Sequence, residues 1–119
     1  MYNADGSMHD DGHHGSTKLH LDVTDALNIM AWAADVPDGK PGYSIWDLFS
    51  AADTPNLRLF LREEGFLGPG DAIHSQCMYL GPKVLERLAA KYNVRPFRVI
   101  QSSGDAIFIP AGCPHQVCC

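Results

Sequence analysis

Two histidines and one aspartate carry the most evident chemistry in this chain: His20 and Asp22 in the run His20-Leu21-Asp22, and His115 close to the other end. Side chains two apart on a β-strand share a face, so a strand through this run sets His20 and Asp22 side by side while Leu21 points away. A further imidazole from His115 would complete two nitrogen ligands and one carboxylate on one triangular face of an octahedral metal. The opposite positions then stay open, as a non-haem iron(II) site requires in order to bind a bidentate 2-oxo acid and then dioxygen. The His-x-Asp pattern alone is a weak signal, because a satisfied core histidine is the commoner explanation of a lone imidazole. Its context strengthens it: His115 follows an apolar run, Ile107-Phe108-Ile109, and a tight turn through Pro110, Gly112 and Pro114. Such a turn leaves the next side chain little freedom, which suits a metal ligand.

The elements that must position these residues are read from periodicity. Lys18 to Val23 alternates as a half-buried strand does, and a turn at Asp25 leads into a second apolar run, Ala26 to Ala33. Asn3 to Ser16 is rich in Gly, Asp and His without hydrophobic period and is expected to be a flexible loop; Asp35 to Tyr43 is marked as a loop by its Pro and Gly residues. From Ser44 the spacing turns helical, with Trp46 and Phe49 three apart, then Asp53 as N-cap of a helix that Gly65 ends. Pro82 opens another helix with Val84, Leu85, Leu88 and Tyr92 on one stripe and Asn93 as its stop. Residues 44–93 are thus expected to form a helical insertion between the metal-binding strands. Strand character returns at Phe97 to Gln101, at Ala106 to Ile109 and at His115, with a turn at Ser103 and Gly104. Strands at both ends with helices between them predict one antiparallel α+β domain over residues 1–119, a partial barrel or jelly roll.

Composition excludes several classes. With 119 residues there is room for one core, and 45% hydrophobic with 19% charged residues is an ordinary globular balance. A net charge of -5 without a Lys/Arg stripe argues against direct nucleic acid binding. No run is apolar enough to span a membrane and no signal-peptide pattern opens the chain, so an intracellular protein is expected. Cys77, Cys113, Cys118 and Cys119 lack the spacing of a structural zinc site.

Met1-Tyr2-Asn3-Ala4, Thr17-Lys18-Leu19-His20-Leu21-Asp22-Val23, Ile45-Trp46-Asp47-Leu48-Phe49 and the run Gly104 to Val117 together resemble the JmjC domain of the Hairless-like histone H3 lysine-9 demethylases. The resemblance runs in order along nearly the whole chain. It implies a double-stranded β-helix (cupin) fold, iron(II) and 2-oxoglutarate as cofactors, and N-methyl lysine as the group attacked, with succinate, carbon dioxide and formaldehyde as products. It matches His20, Asp22 and His115 to the iron ligands and Thr17 to a hydroxyl that binds the far carboxylate of 2-oxoglutarate, with Asn28 expected either to contact that cosubstrate or to order water near it. It further implies a nuclear protein whose partners are the methylated histone H3 tail and chromatin complexes. Because the family continues through another barrel strand after His115, the fold is expected to be C-terminally truncated. Lys18 shares strand parity with His20 and is expected to bring a cation near the site.

Other residues take the plainer reading. His9, His13 and His14 belong to a solvated loop, His74 to the surface, and Trp32, Trp46, Phe49 and Phe60 to the core and not to a methyl-lysine cage. Three functions then compete: an active demethylase, a truncated or inactive JmjC-like module that only binds chromatin, and a JmjC protein hydroxylase. Iron-dependent conversion of 2-oxoglutarate separates the second from the others, and formaldehyde release from a methylated histone peptide separates the first from the third.

Overall fold

A computed structural model of the chain describes residues 15–33, 42–65, 73 and 78–118. Within them lie six strands and two helices, in the order β1 (Gly15–His20), β2 (Ala26–Ile29), β3 (Tyr43–Leu48), α1 (Thr54–Glu63), α2 (Pro82–Tyr92), β4 (Phe97–Ser102), β5 (Ala106–Ile109) and β6 (His115–Cys118), with a 3-10 turn at Ala51–Asp53 leading into α1. The four-stranded sheet has the order β1-β6-β3-β4, and β2 pairs with β5 in a separate ribbon. Every pairing is antiparallel. The chain is therefore mainly β with two helices, a partial jelly roll of the expected class.

Two cores hold it together. Between the sheets, Trp46 of β3 and Val117 of β6 meet Ile107 and Ile109 of β5, each at most 8% exposed. Alternation explains the choice: in β5 the buried residues are Ile107 and Ile109, while Ala106 and Phe108 between them face outward. The second core gathers Leu57, Phe60 and Leu61 of α1 and Leu88 of α2 with Leu19, Phe49, Met78, Leu80 and Val94. Both helices are outer supports, as their apolar stripes predict. Pro55 in the first turn suits α1, since a missing N–H costs nothing there, and α2 stops at Asn93, whose φ of 53° is the left-handed conformation of a helix end.

Three local expectations are corrected. Residues 43–48 are a strand at the centre of the large sheet, not the start of a helical insertion; both faces of β3 are covered, so its apolar residues lose the alternation of a half-buried strand, and Trp46 and Phe49 mimic a helical spacing. Asp53 makes no capping bond; the Ser50 hydroxyl oxygen accepts from Ala52 N–H at 3.3 Å, one turn earlier. Trp32 is 79% exposed, whereas Trp46, Phe49 and Phe60 are core as expected. Gly15 and Ser16, at the end of the expected loop, belong to β1; the rest of that loop, with His9, His13 and His14, and also His74, Cys77 and Cys119, lies outside the described residues.

Candidate metal centre

His20 and His115 are cross-strand partners in the β1–β6 ladder, so their side chains leave the same face of the sheet and their rings stand 4.2 Å apart between centroids. β1 ends at His20, and Asp22 sits on the loop that follows it, two residues past the strand end. What holds Asp22 in place is the turn before β6. Gly112 N–H donates to the Asp22 carbonyl at 2.8 Å, and Ala111 N–H donates to the Asp25 carboxylate at 2.7 Å. Gly112 adopts a φ of 77°, open to glycine and strained for other residues, which is why the Pro/Gly turn can dock its backbone here.

One donor atom from each of His20, Asp22 and His115 falls in a group within which all separations are below 4.8 Å. The Asp22 carboxylate turns one oxygen to each imidazole, at 4.0 Å from His20 Nε2 and 3.8 Å from His115 Nε2, both too long for hydrogen bonds. The other ring nitrogens are committed: His20 Nδ1 lies 2.8 Å from the Lys18 carbonyl and His115 Nδ1 lies 3.0 Å from the Cys113 carbonyl. A carbonyl only accepts, so each Nδ1 carries a hydrogen, and in the neutral ring Nε2 is the nitrogen left to bind a metal. Burial, foremost, and the neighbouring His20 push the His115 pKa below the ordinary imidazole value, against the opposite pull of the Cys113 carbonyl and Asp22. Three potential donor atoms thus face one point, an arrangement that suits a cation. The Asp22 side chain, 43% exposed, has the freedom to move. The residues present fit a divalent metal of the nitrogen- and oxygen-seeking kind.

The trio opens on a cavity of about 420 Å³ between the two sheets, whose walls include Thr17, Asn28, Ser44, Trp46 and Gln101. Thr17 and Asn28 both line this cavity together with the trio. Thr17 and His20 are an odd number of residues apart and would face opposite ways on a regular strand. Between their partners Val117 and His115 the register shifts, and this bulge returns Thr17 to the cavity side. Lys18 does not line the cavity, and its carbonyl faces His20 Nδ1. Thr17, His20, Trp46, His115 and Val117 reach the cavity from the large sheet, Asn28 and Ile109 from the small one.

The family model described as "JmjC domain, hydroxylase" matches residues 12–119. The chain belongs to the JmjC family. Among curated relatives it is 36% identical over 153 residues to lysine-specific demethylase 3A-A of Xenopus laevis and 35% identical over 153 residues to lysine-specific demethylase 3A of Homo sapiens, with 98% of the chain matched in each. Lysine-specific demethylase 3 of Drosophila melanogaster is 37% identical over 155 residues, again with 98% of the chain matched. The chain spans 11% of the frog protein, 12% of the human one and 18% of the fly one. Since the matched spans exceed the 119 residues of this JmjC chain, the relatives carry internal residues that it lacks.

Sequence spacing does not disclose Gln101, the most connected polar side chain of the JmjC cavity. It is 1% exposed, accepts the Trp46 indole N–H at 2.8 Å and donates to Asn28 Oδ1 at 3.1 Å, to the Asn28 carbonyl at 3.3 Å and to the Asp105 carbonyl at 3.2 Å. The available signal was a neutral amide at the end of the otherwise apolar run Val99-Ile100-Gln101. Gln116 is a second such case: wholly buried on β6, it accepts the Leu80 N–H at 2.8 Å and donates to the Leu80 carbonyl and to Asp47, and so ties the segment before α2 to the sheet.

Proposed function

We propose that this chain is the catalytic β core of an iron(II)- and 2-oxoglutarate-dependent dioxygenase that demethylates N-methyl lysine on a histone tail in the nucleus, within chromatin complexes. The convergence of His20, Asp22 and His115 at the mouth of the inter-sheet cavity carries the reading. In it, His20 Nε2, His115 Nε2 and the Asp22 carboxylate would hold iron(II), which with 2-oxoglutarate and dioxygen supplies the oxidant that hydroxylates an N-methyl C–H bond. The protein's own contribution is placement. The Lys18 and Cys113 carbonyls fix the tautomer and tilt of the imidazoles. Thr17 and Asn28 offer a hydroxyl and an amide to the cosubstrate acid. Trp46, Ile109 and Val117 form the apolar wall that keeps water from the inner side. A cavity of about 420 Å³ suits a small dicarboxylic acid.

The test is turnover of the chain loaded anaerobically with iron(II). Iron-dependent release of carbon dioxide from 2-oxoglutarate, with formaldehyde from a methylated histone H3 peptide, is the expected result. Carbon dioxide with a hydroxylated protein side chain and no formaldehyde would make it a JmjC protein hydroxylase. Iron and peptide binding without any conversion of 2-oxoglutarate would make it a chromatin-binding module.

A further inference from the structure

Asn28 can present either end of its amide to the cavity, and the two ends have opposite meanings for an acid: Nδ2 donates, Oδ1 repels. The hydrogen bonds around Gln101 decide between them. An indole N–H only donates, so the end of Gln101 at 2.8 Å from Trp46 Nε1 is Oε1. Gln101 Nε2 is then the end turned to the small sheet, where it meets acceptors only: the carbonyls of Asn28 and Asp105 and the Asn28 side chain at 3.1 Å. Because Nε2 only donates, the Asn28 atom facing it is Oδ1, and Nδ2 occupies the other arm. Among the described residues Asn28 Nδ2 meets no protein acceptor; Asn28 is exposed and lines the cavity that holds the trio, so a solute there can take the place of solvent at Nδ2.

We propose that Gln101 is a positioning residue for the cosubstrate: it holds the Asn28 amide so that Nδ2 donates a hydrogen bond to an anionic 2-oxo acid in the cavity, and Trp46 holds Gln101. The inference rests on the function proposed above and adds to it the residues that set the polarity of the acid-binding wall. Burial makes the inner part of the relay rigid, while Asn28 at its outer end is exposed. Gln101 is 1% and Trp46 5% exposed, so neither amide nor indole can exchange its partner for water without opening the sheets. Trp46 also stacks against His115, with centroids 6.0 Å apart and 23° between planes, so one indole steadies both a metal ligand and the acid-binding amide. The competing account is that Gln101 merely ties the small sheet to the large one.

The full chain loaded with zinc, which is diamagnetic and takes the same ligand types, is titrated calorimetrically with 2-oxoglutarate as wild type, Gln101→Met, Asn28→Ala and the double variant. Gln101→Met is neutral and close in volume, so it removes the donor without adding charge. The dissociation constant for 2-oxoglutarate is expected to rise about fivefold to tenfold in Gln101→Met, zinc affinity staying within about twofold, and the Gln101→Met effect is expected to vanish in the Asn28→Ala background. An unchanged constant, or the same rise with and without the Asn28 side chain, overturns the proposal while leaving the function intact. Wild type that binds zinc but no 2-oxoglutarate overturns both. Should Gln101→Met fail to fold, the side-chain amide resonances of the zinc-loaded wild type decide: those of Asn28 are expected to shift on adding 2-oxoglutarate, and their indifference at saturation overturns the relay.

Discussion

At the scale of single residues, the site is a grouping of three side chains that a cation would unite. His115, 4% exposed, is held by its own turn and by Trp46, whereas Asp22 is the more exposed member, held through its carbonyl. Asp22→Ala should therefore abolish metal binding while changing the stability of the metal-free chain by no more than about 0.5 kcal/mol, as for other partly exposed residues. Calorimetric titration with manganese(II) beside thermal unfolding checks both halves. A large stability loss with metal affinity retained would mean that Asp22 is structural. Arg98→Met tests a different residue. The Asp47 carboxylate is wholly buried and takes paired hydrogen bonds from Arg98 at 2.8 and 3.0 Å. Removing the guanidinium strands a buried charge, with an expected loss of about 2 to 3 kcal/mol. That is below the usual range for a broken buried pair, because the Arg98 side chain is 48% exposed and water can partly replace it. Denaturant unfolding reads it directly.

At the scale of elements, the turn between β5 and β6 does more than reverse the chain. It aims His115 and, through Gly112 N–H, fixes the loop bearing Asp22. An alanine at position 112 meets no neighbour within 4 Å, so any effect of Gly112→Ala comes from the φ of 77° alone. A loss of about 1 to 2 kcal/mol is expected, with weaker metal binding as the turn shifts away from Asp22. The same substitution at Gly65, which has a φ of 83° far from the metal trio in the chain, should lower stability and leave metal affinity alone. The two helices are joined at the surface by Glu64 with Arg87, at 2.9 and 3.0 Å, and by Glu63 with Lys91 and Tyr92. Hydrogen bonds from these partners hold both carboxyls below their ordinary pKa. Such groups add stability that is complete above the unfolded value of 4.5 and is lost as pH falls through the lower folded value. Thermal midpoints of wild type and of Glu63→Gln/Glu64→Gln should differ at neutral pH and converge in acid; an equal gap at all pH would rule out the ion pairs as its source.

For the molecule as a whole, the centre joins two elements remote in the chain, since β1 supplies His20 and β6 supplies His115. Metal that binds only the folded arrangement must stabilise it, by about 2.7 kcal/mol at a free concentration a hundred times the dissociation constant. Manganese(II) should raise the thermal midpoint of this chain by several degrees, reversibly on chelation, and should do nothing for Asp22→Ala. The candidate ligands were legible in the sequence because they are residue types: two imidazoles, one carboxylate and a Pro/Gly turn can be read without coordinates. So were β5 and both helices, whose apolar periods are uncovered on one side, whereas β6, buried along its whole length, was marked only by the Pro/Gly turn before it. Contacts between distant segments decided the rest. β3 hid its period because both its faces are covered. Thr17 reached the cavity through a bulge defined only by its pairing with β6. Gln101 acquired its part from Trp46 and Asn28, which lie 55 and 73 residues away. A chain by itself fixes which groups are present; only the packing of one sheet on another fixes which way an amide must turn.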